Sequence, residues 1–267
     1  MKAMILAAGL GTRLRPLTDH RPKALVELSG RTLLEITLSR LRTFGIHEVI
    51  INVHHFADLV IDYLKSNKNF GMRIEISRED VLLDTGGGLK KAAWFFLEDC
   101  ARRASSRGDS TQPKSNQMDE LFLLHNVDVI SNIDLRRMLQ FHTENHALAT
   151  LAVQTRETSR YLLFDDHLQL CGRGIEGHSP LATRHSPLAT RHSPLPLAFS
   201  GIHLISPRLL PMLTEEGVFS IIPTYLRLAA QGEKILAFRA DQYYWRDIGR
   251  PADLAQAALD LQQRVLL

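Results

Sequence analysis

Short apolar runs alternate with segments of helical period through the first half of the chain, and this alternation limits the possible folds more than any other feature. "KAMILAA" (2–8) reads as a buried strand. In "TLLEITLSRLRTF" (32–44), Leu33, Leu34, Leu38 and Leu41 fall at helical spacing and Gly45 supplies a cap. "EVIINV" (48–53) predicts a second strand, 56–65 a second helix and the alternating "MRIEIS" (72–77) a third strand. A helix over 86–98 follows a triple glycine, and "ELFLLHNVDVI" (120–130) holds a strand ending near His125. Such alternation predicts a parallel or mixed sheet with helices on both faces. Ligands of these sheets bind beyond the carboxyl ends of the strands. The loops 9–23, 84–88 and 125–128 follow or border predicted strands, so they are the candidate binding loops.

The second half is less regular. "ALATLAVQ" (147–154), "RYLLFD" (160–165) and "LQLCG" (168–172) read as strands, the latter two as a hairpin around Asp165 and Asp166. Then come "LAFSGIHLI" (197–205), a helical stretch near 219–231, "KILAFRA" (234–240), "YYWRDIG" (243–249) and a helix from Pro251. Two polar segments look inserted into one domain spanning 1–267, and both predict mobile surface loops: 102–118 and 175–196. The second contains the tandem repeat HSPLATR-HSPLATR-HSPL. Each unit carries a proline, which excludes a coiled coil. His178, His185 and His192 read as parts of a duplicated loop more readily than as metal ligands.

Four basic side chains, Arg13, Arg15, Arg21 and Lys23, crowd the segment after the first strand, beside Gly9 and Gly11. The net charge of +3 over 267 residues is too small to argue for nucleic acid, so this cluster marks a local anion site. Glycines let backbone amides approach a ligand and form an anion-binding concavity. A P-loop would need Lys-Ser or Lys-Thr after its second glycine, and a Rossmann fingerprint a third glycine where Leu14 stands. Neither is present. Two glycines alone read as readily as an ordinary tight turn, but with Arg13 and Lys23 beside them polyphosphate binding is the better reading, with Arg15 and Arg21 equally suited to the surface. Cys100 and Cys171 are the only cysteines, which argues against a disulfide framework and suits a reducing compartment. No stretch approaches the roughly 18 apolar residues of a membrane span, and no secretory signal is recognisable. A cytoplasmic protein is expected.

"LAAGLGTRLRPLTDHRPKAL" (6–25) resembles the signature of the sugar-1-phosphate nucleotidyltransferases, or nucleotide-sugar pyrophosphorylases. The resemblance continues through "INVHH" (51–55), "LLDTGGGLKKA" (82–92), "HNVDVI" (125–130), "FSGIHLISP" (199–207) and "WRDIGRP" (245–251). Among relatives, the short bacterial enzymes that transfer uridylyl to N-acetylmuramate 1-phosphate are most similar. The resemblance implies a single Rossmann-like (GT-A-like) α/β/α sandwich with a mixed, mainly parallel central sheet and no C-terminal β-helix. It implies Mg²⁺ as cofactor, a nucleoside triphosphate and a sugar 1-phosphate as partners, no nucleic acid or membrane, and a monomer or small homo-oligomer.

By the same resemblance, Ala8, Gly9, Gly11 and Thr12 lie against the nucleotide and its phosphates, and Gly86 and Gly87, with Gly88, let the base or ribose approach. Arg13 and Lys23 stabilise the phosphates and the leaving pyrophosphate, Asp128 and Asp247 hold the metal, and Asn126 and Gly201 border the sugar. Trp245 is packing or a pocket wall. Two departures from the family pattern stand out. Val127 replaces a glycine between Asn126 and Asp128, and Gly174-Ile175-Glu176-Gly177 stands where relatives carry Glu-Lys-Pro, with the lysine on the sugar phosphate. Either Arg173 or an arginine of the repeat takes that lysine's place, or acceptor binding differs. Alternatives to uridylyl transfer are guanylyl transfer to mannose 1-phosphate, a non-sugar acceptor such as phosphocholine, or a catalytically silent nucleotide-binding subunit.

Overall fold

The computed structural model describes residues 1–106, 121–174 and 194–263, with the backbone alone for 98–106. Of the expected loop 175–196, residues 175–193 with the histidines and arginines of the repeat lie outside the described residues, as does 107–118 of the other predicted insertion, while 195 and 196 prove to be the start of a strand, Leu195–Ile205.

Nine strands form one sheet. At its centre β1 (Lys2–Leu6) pairs in parallel with β4 (Glu48–Val53) and β6 (Phe122–Asn126), and β4 with β5 (Arg73–Arg78). β11 (Leu195–Ile205) runs antiparallel to β6 and to β8 (Ala149–Gln154), so β8 returns to the direction of β1. β12 (Ile235–Arg239) lies parallel to β8, while β9 (Tyr161–Phe164) and β10 (Leu170–Arg173) form the predicted hairpin against the first half of β11. Two ribbons stand apart: β2 (Glu27–Leu28) with β3 (Arg31–Thr32), and β7 (Val129–Ser131) with β13 (Trp245–Asp247). The sheet is mixed and mainly parallel, as the family resemblance implies and within the parallel or mixed sheet that the alternation of elements predicts.

Period-two alternation along the central strands sends side chains to two cores. Ala3, Ile5, Val49 and Ile51 meet α1 (Leu33–Thr43), α2 (Ala57–Ser66) and α4 (Leu135–Asn145). Met4, Ile50, Phe122 and Leu124 face α3 (Asp84–Ser106) and α5 (Ile221–Ala230). Local chemistry sets the helix ends. Thr32 accepts a hydrogen bond from the Glu35 amide at 3.1 Å to start α1, Asp134 accepts from Arg136 at 2.9 Å to start α4, and Pro251 opens α6 (Pro251–Gln262). Residues 131–146, unassigned from the sequence, thus contain α4.

Two boundaries differ from the sequence expectation. α3 begins at Asp84 and takes in the triple glycine, and it runs through Ser106, into the segment expected to be a loop. The glycines are helical because tertiary contacts hold them, as shown below. A third, smaller apolar cluster joins Leu14, Leu33, Ile130, Ile248 and Ala257. It ties the loop after β1 to β7, β13 and α6, and so holds the segments that carry the candidate site.

Candidate active site

β1, β4, β5, β6 and β8 all point their carboxyl ends to one edge of the sheet, and a cleft of about 490 Å³ opens there. Ala8, Gly9, Gly11, Thr12, Arg13, Lys23, Asn126 and Asp128, all expected from the sequence, line it. Gly11 has φ +65, and its carbonyl accepts hydrogen bonds from the Leu14 amide at 2.8 Å and the Thr18 hydroxyl at 2.9 Å. A Cβ at this position would lie 3.0 Å from Thr18 Cγ2 and 3.2 Å from Lys23 Cβ, so the turn requires glycine both for its backbone angle and for the space. Next along the chain, Leu14 is fully buried, which anchors the loop and leaves the neighbouring Arg13 exposed. Arg15 and Arg21 point to solvent, beside Asp19 and Glu27.

Lys23 is buried, and its ammonium forms an ion pair with Asp128. Asp247 enters from β13. It is the register partner of Val129, and the Ile248 amide donates to the Asp128 carbonyl at 2.8 Å, so the two aspartates are neighbours. Burial first, and then the Asp128 carboxylate, push the Asp247 pKa up to about 6, while Lys23 and Arg13 pull it down. Gly249 lets the Arg13 guanidinium pack close by: a Cβ there would stand 3.1 Å from Asp247 Oδ2 and 3.3 Å from Arg13 Nη2. Val127, where the family pattern has glycine, is buried in the core, and its amide donates to the Leu6 carbonyl at 3.1 Å. Two adjacent carboxylates, one of them half-buried with its pKa raised, are a donor set that suits a hard divalent cation. Among the described residues no group of three or more His, Cys, Asp or Glu could hold a metal. Any such ion would therefore complete its shell with substrate oxygens and water, as Mg²⁺ does.

Gly86 and Gly87 do not line the cleft; Leu82, Asp84 and Thr85 do. The amides of Gly86 and Gly87 donate to the Phe219 carbonyl at 2.9 and 3.2 Å. A methyl at Gly86 would collide with the Phe219 ring, and one at Gly87 would come 2.5 Å from the Gly217 carbonyl oxygen. These glycines, expected against the nucleotide, instead let 217–219 pack onto the start of α3, and Val218 forms part of the cleft wall.

A buried polar chain that the sequence does not reveal supports the cleft. The Ala7 amide donates to Asn52 Oδ1 at 2.7 Å, Asn52 Nδ2 to Glu79 Oε1 at 2.7 Å, and the Leu83 amide to Glu79 Oε2 at 3.0 Å. It joins the ends of β1, β4 and β5 to the loop before α3. Asn52 within "INVHH" was the available signal, but only the fold makes it a hub.

Gly201 has φ +73 and abuts Asn126: a Cβ there would be 2.8 Å from Asn126 Nδ2. The two expected sugar-side residues are thus in contact. Trp245 donates from Nε1 to the Ser200 carbonyl at 2.7 Å, and the Arg156 guanidinium lies 3.8 Å above its ring. Burial lowers the Arg156 pKa, and Asp247 opposes that shift. Behind Asn126, His125 is wholly buried. Desolvation, then Arg40, depress its pKa to about 4, so it is a neutral core residue. Arg173 is exposed on β10.

Residues 2–161 match the model of the nucleotidyl transferase family. The chain belongs to that family. It is 31% identical to the N-acetylmuramate alpha-1-phosphate uridylyltransferase of Caulobacter vibrioides, over 96% of this chain and 95% of that one. It is 27% identical to a mannose-1-phosphate guanyltransferase of Yarrowia lipolytica, over 95% of this chain and 62% of the other. The fold matches the crystal structure of HddC from Yersinia pseudotuberculosis complexed with GMP-PN at a TM-score of 0.68, covering 97% of this chain and 99% of that chain, with 20% identity. Among the described residues, no helix of the family member is long and apolar enough to cross a membrane.

Proposed function

We propose that the protein condenses UTP with N-acetylmuramate 1-phosphate, or a closely related hexose 1-phosphate, to give a nucleotide-sugar and pyrophosphate in the cytoplasm. The observation that carries this reading is that Arg13, Lys23 and Asp128 line a cleft walled by the backbone of 8–12, with Asp247 neighbouring Asp128 and Arg13. Identity that extends over nearly the whole of both chains favours the uridylyl relative over the guanylyl one.

An oxygen of the sugar 1-phosphate attacks the α-phosphorus, a new P–O bond forms, and the bond to the β-phosphate bridging oxygen breaks, releasing pyrophosphate. The nucleophile needs no general base, because a phosphate monoester with a second pKa near about 6 is mostly dianionic at neutral pH. The protein's task is positioning and charge stabilisation. The amides of the loop after β1 cradle the triphosphate, Arg13 forks onto its oxygens, and Lys23 adds a point charge. Asp128 and Asp247 would hold Mg²⁺, which would neutralise phosphate charge. Asn126 and Gly201 border the sugar.

The test is pyrophosphate release with Mg²⁺, comparing UTP, GTP, dTTP, CTP and ATP against a panel of sugar 1-phosphates that includes N-acetylmuramate 1-phosphate. Turnover restricted to the uridylyl pair supports the reading. Turnover restricted to GTP with mannose 1-phosphate, or no turnover with any pair, overturns it.

A further inference from the structure

The loop that follows β8 emerges at the same sheet edge as the cleft, because β8 runs in the direction of β1. It carries Arg156, which is an unusual arginine. Its guanidinium stacks on Trp245 at 3.8 Å, and Nη2 donates to the Phe199 carbonyl at 2.7 Å. The Nε is buried with no hydrogen-bond partner. Among the described residues no carboxylate comes within ion-pair distance of it; the nearest influence of opposite charge is Asp247. A half-buried guanidinium that stacks, spends one N–H on a carbonyl and lacks a counterion is poised for an anion.

Its place says which anion. Trp245 and Asp247 are two residues apart on β13, so they share one face of that strand. Asp247 therefore stands between two arginines: Arg13 packs beside it over Gly249, on the cleft side, and Arg156 sits over Trp245, next to Phe199 and near Gly201. In the reading proposed above, the loop 8–12 takes the nucleotide, and Asn126 and Gly201, the latter two residues from Phe199, border the acceptor.

We propose that Arg156, held flat on Trp245 and tethered to the Phe199 carbonyl, binds an anionic group of the acceptor and supplies the acceptor-side cation for which this chain has no Glu-Lys-Pro lysine. The inference rests on the nucleotidyl transfer proposed above. The anion is either the 1-phosphate common to all acceptors or a carboxylate carried by the sugar itself.

The experiment compares wild type with Arg156→Ala and Arg156→Lys in steady-state pyrophosphate release, reading KM separately for acceptor and nucleotide. N-acetylmuramate 1-phosphate, which bears a carboxylate, and N-acetylglucosamine 1-phosphate, which does not, serve as acceptors. Either one that the wild type does not turn over is read as a competitive inhibitor. Arg156→Ala should raise the acceptor KM or inhibition constant by about tenfold or more with the nucleotide KM within about twofold, and Arg156→Lys should recover part of the loss. A rise for both acceptors assigns the phosphate; a rise for the carboxylate-bearing acceptor alone assigns the carboxylate. An unchanged acceptor constant, or equal rises for acceptor and nucleotide, overturns the proposal. Wild-type protein that turns over no sugar 1-phosphate would instead refute the nucleotidyl transfer reading.

Discussion

Asp128 and Asp247 come from opposite halves of the chain and meet because Asp247 is the register partner of Val129 in the β7–β13 ribbon. The Ile248 amide locks that register onto the Asp128 carbonyl at 2.8 Å, and Ile248 itself is buried with Leu14. The same small cluster thus fixes both the carboxylates and the loop that bears Arg13.

Asp128→Asn should lose about 100-fold or more of turnover, by analogy with the loss of other preorganised charge stabilisers. It keeps the size of the side chain and a hydrogen-bond acceptor, so the fold should persist. Pyrophosphate release beside a circular-dichroism melt checks this; a rate near that of wild type would remove Asp128 from the site.

Arg13→Ala should cost about 2.7–4 kcal/mol of barrier, on the same analogy. Arg13 is exposed, so stability should hardly change. The charge without the fork, in Arg13→Lys, should recover only part of the rate. Rates within about twofold of wild type for the alanine variant would show that Arg13 does not touch the reacting phosphates.

Asp247 gives a pH dependence of definite sign. Its folded pKa of about 6 lies above the ordinary 3.8, so the folded state holds the proton more tightly than the unfolded one. Its contribution to stability is present at low pH and declines as pH rises from about 4 through about 6. The difference in melting temperature between wild type and Asp247→Asn, followed across that window in chelator, should trace this decline. In the same window the proton competes with a divalent cation, so apparent cation affinity should fall as pH drops through about 6. A flat difference curve would contradict the assigned environment.

Gly87→Ala should be destabilising, since its Cβ would come 2.5 Å from the Gly217 carbonyl oxygen. Overpacking of this kind costs about 1–3 kcal/mol. A lowered melting temperature is expected, together with a weakened nucleotide KM if 217–219, and with it Val218, shifts in the cleft. Unchanged stability would mean that 217–219 does not rest on α3.

Asn52→Ala should cost about 1–3 kcal/mol for each group left unpaired, the Ala7 amide and Glu79 Oε1. It should also raise the nucleotide KM, because the loop after β1 loses its tether. A urea melt and a nucleotide titration read the two effects separately.

Local pattern carried most of the fold. The alternation in "MRIEIS", the helical spacing of Leu34, Leu38 and Leu41, and the cap at Gly45 each depend on neighbours within a few residues, so they can be read along the chain. The packing of the triple glycine could not be read this way. Gly86 and Gly87 look like space for a ligand, yet the space is filled by Phe219 and Gly217, residues far along the sequence. The polar hub of Asn52 and Glu79 and the lone cation of Arg156 were equally hidden, since a buried amide and a stacked guanidinium have no signature of their own in the sequence.

By itself, then, the sequence determined the strand–helix order, the glycine turn with its basic residues, and the chemical kinds of group available for phosphate and metal. Those properties follow from backbone preference and side-chain type. It took the tertiary pairing to seat Asp247 beside Asp128, to stack Arg156 on Trp245, and to pack Gly86 and Gly87 against protein. Pairing between distant strands is chosen by the burial of whole faces, which no short stretch of sequence contains.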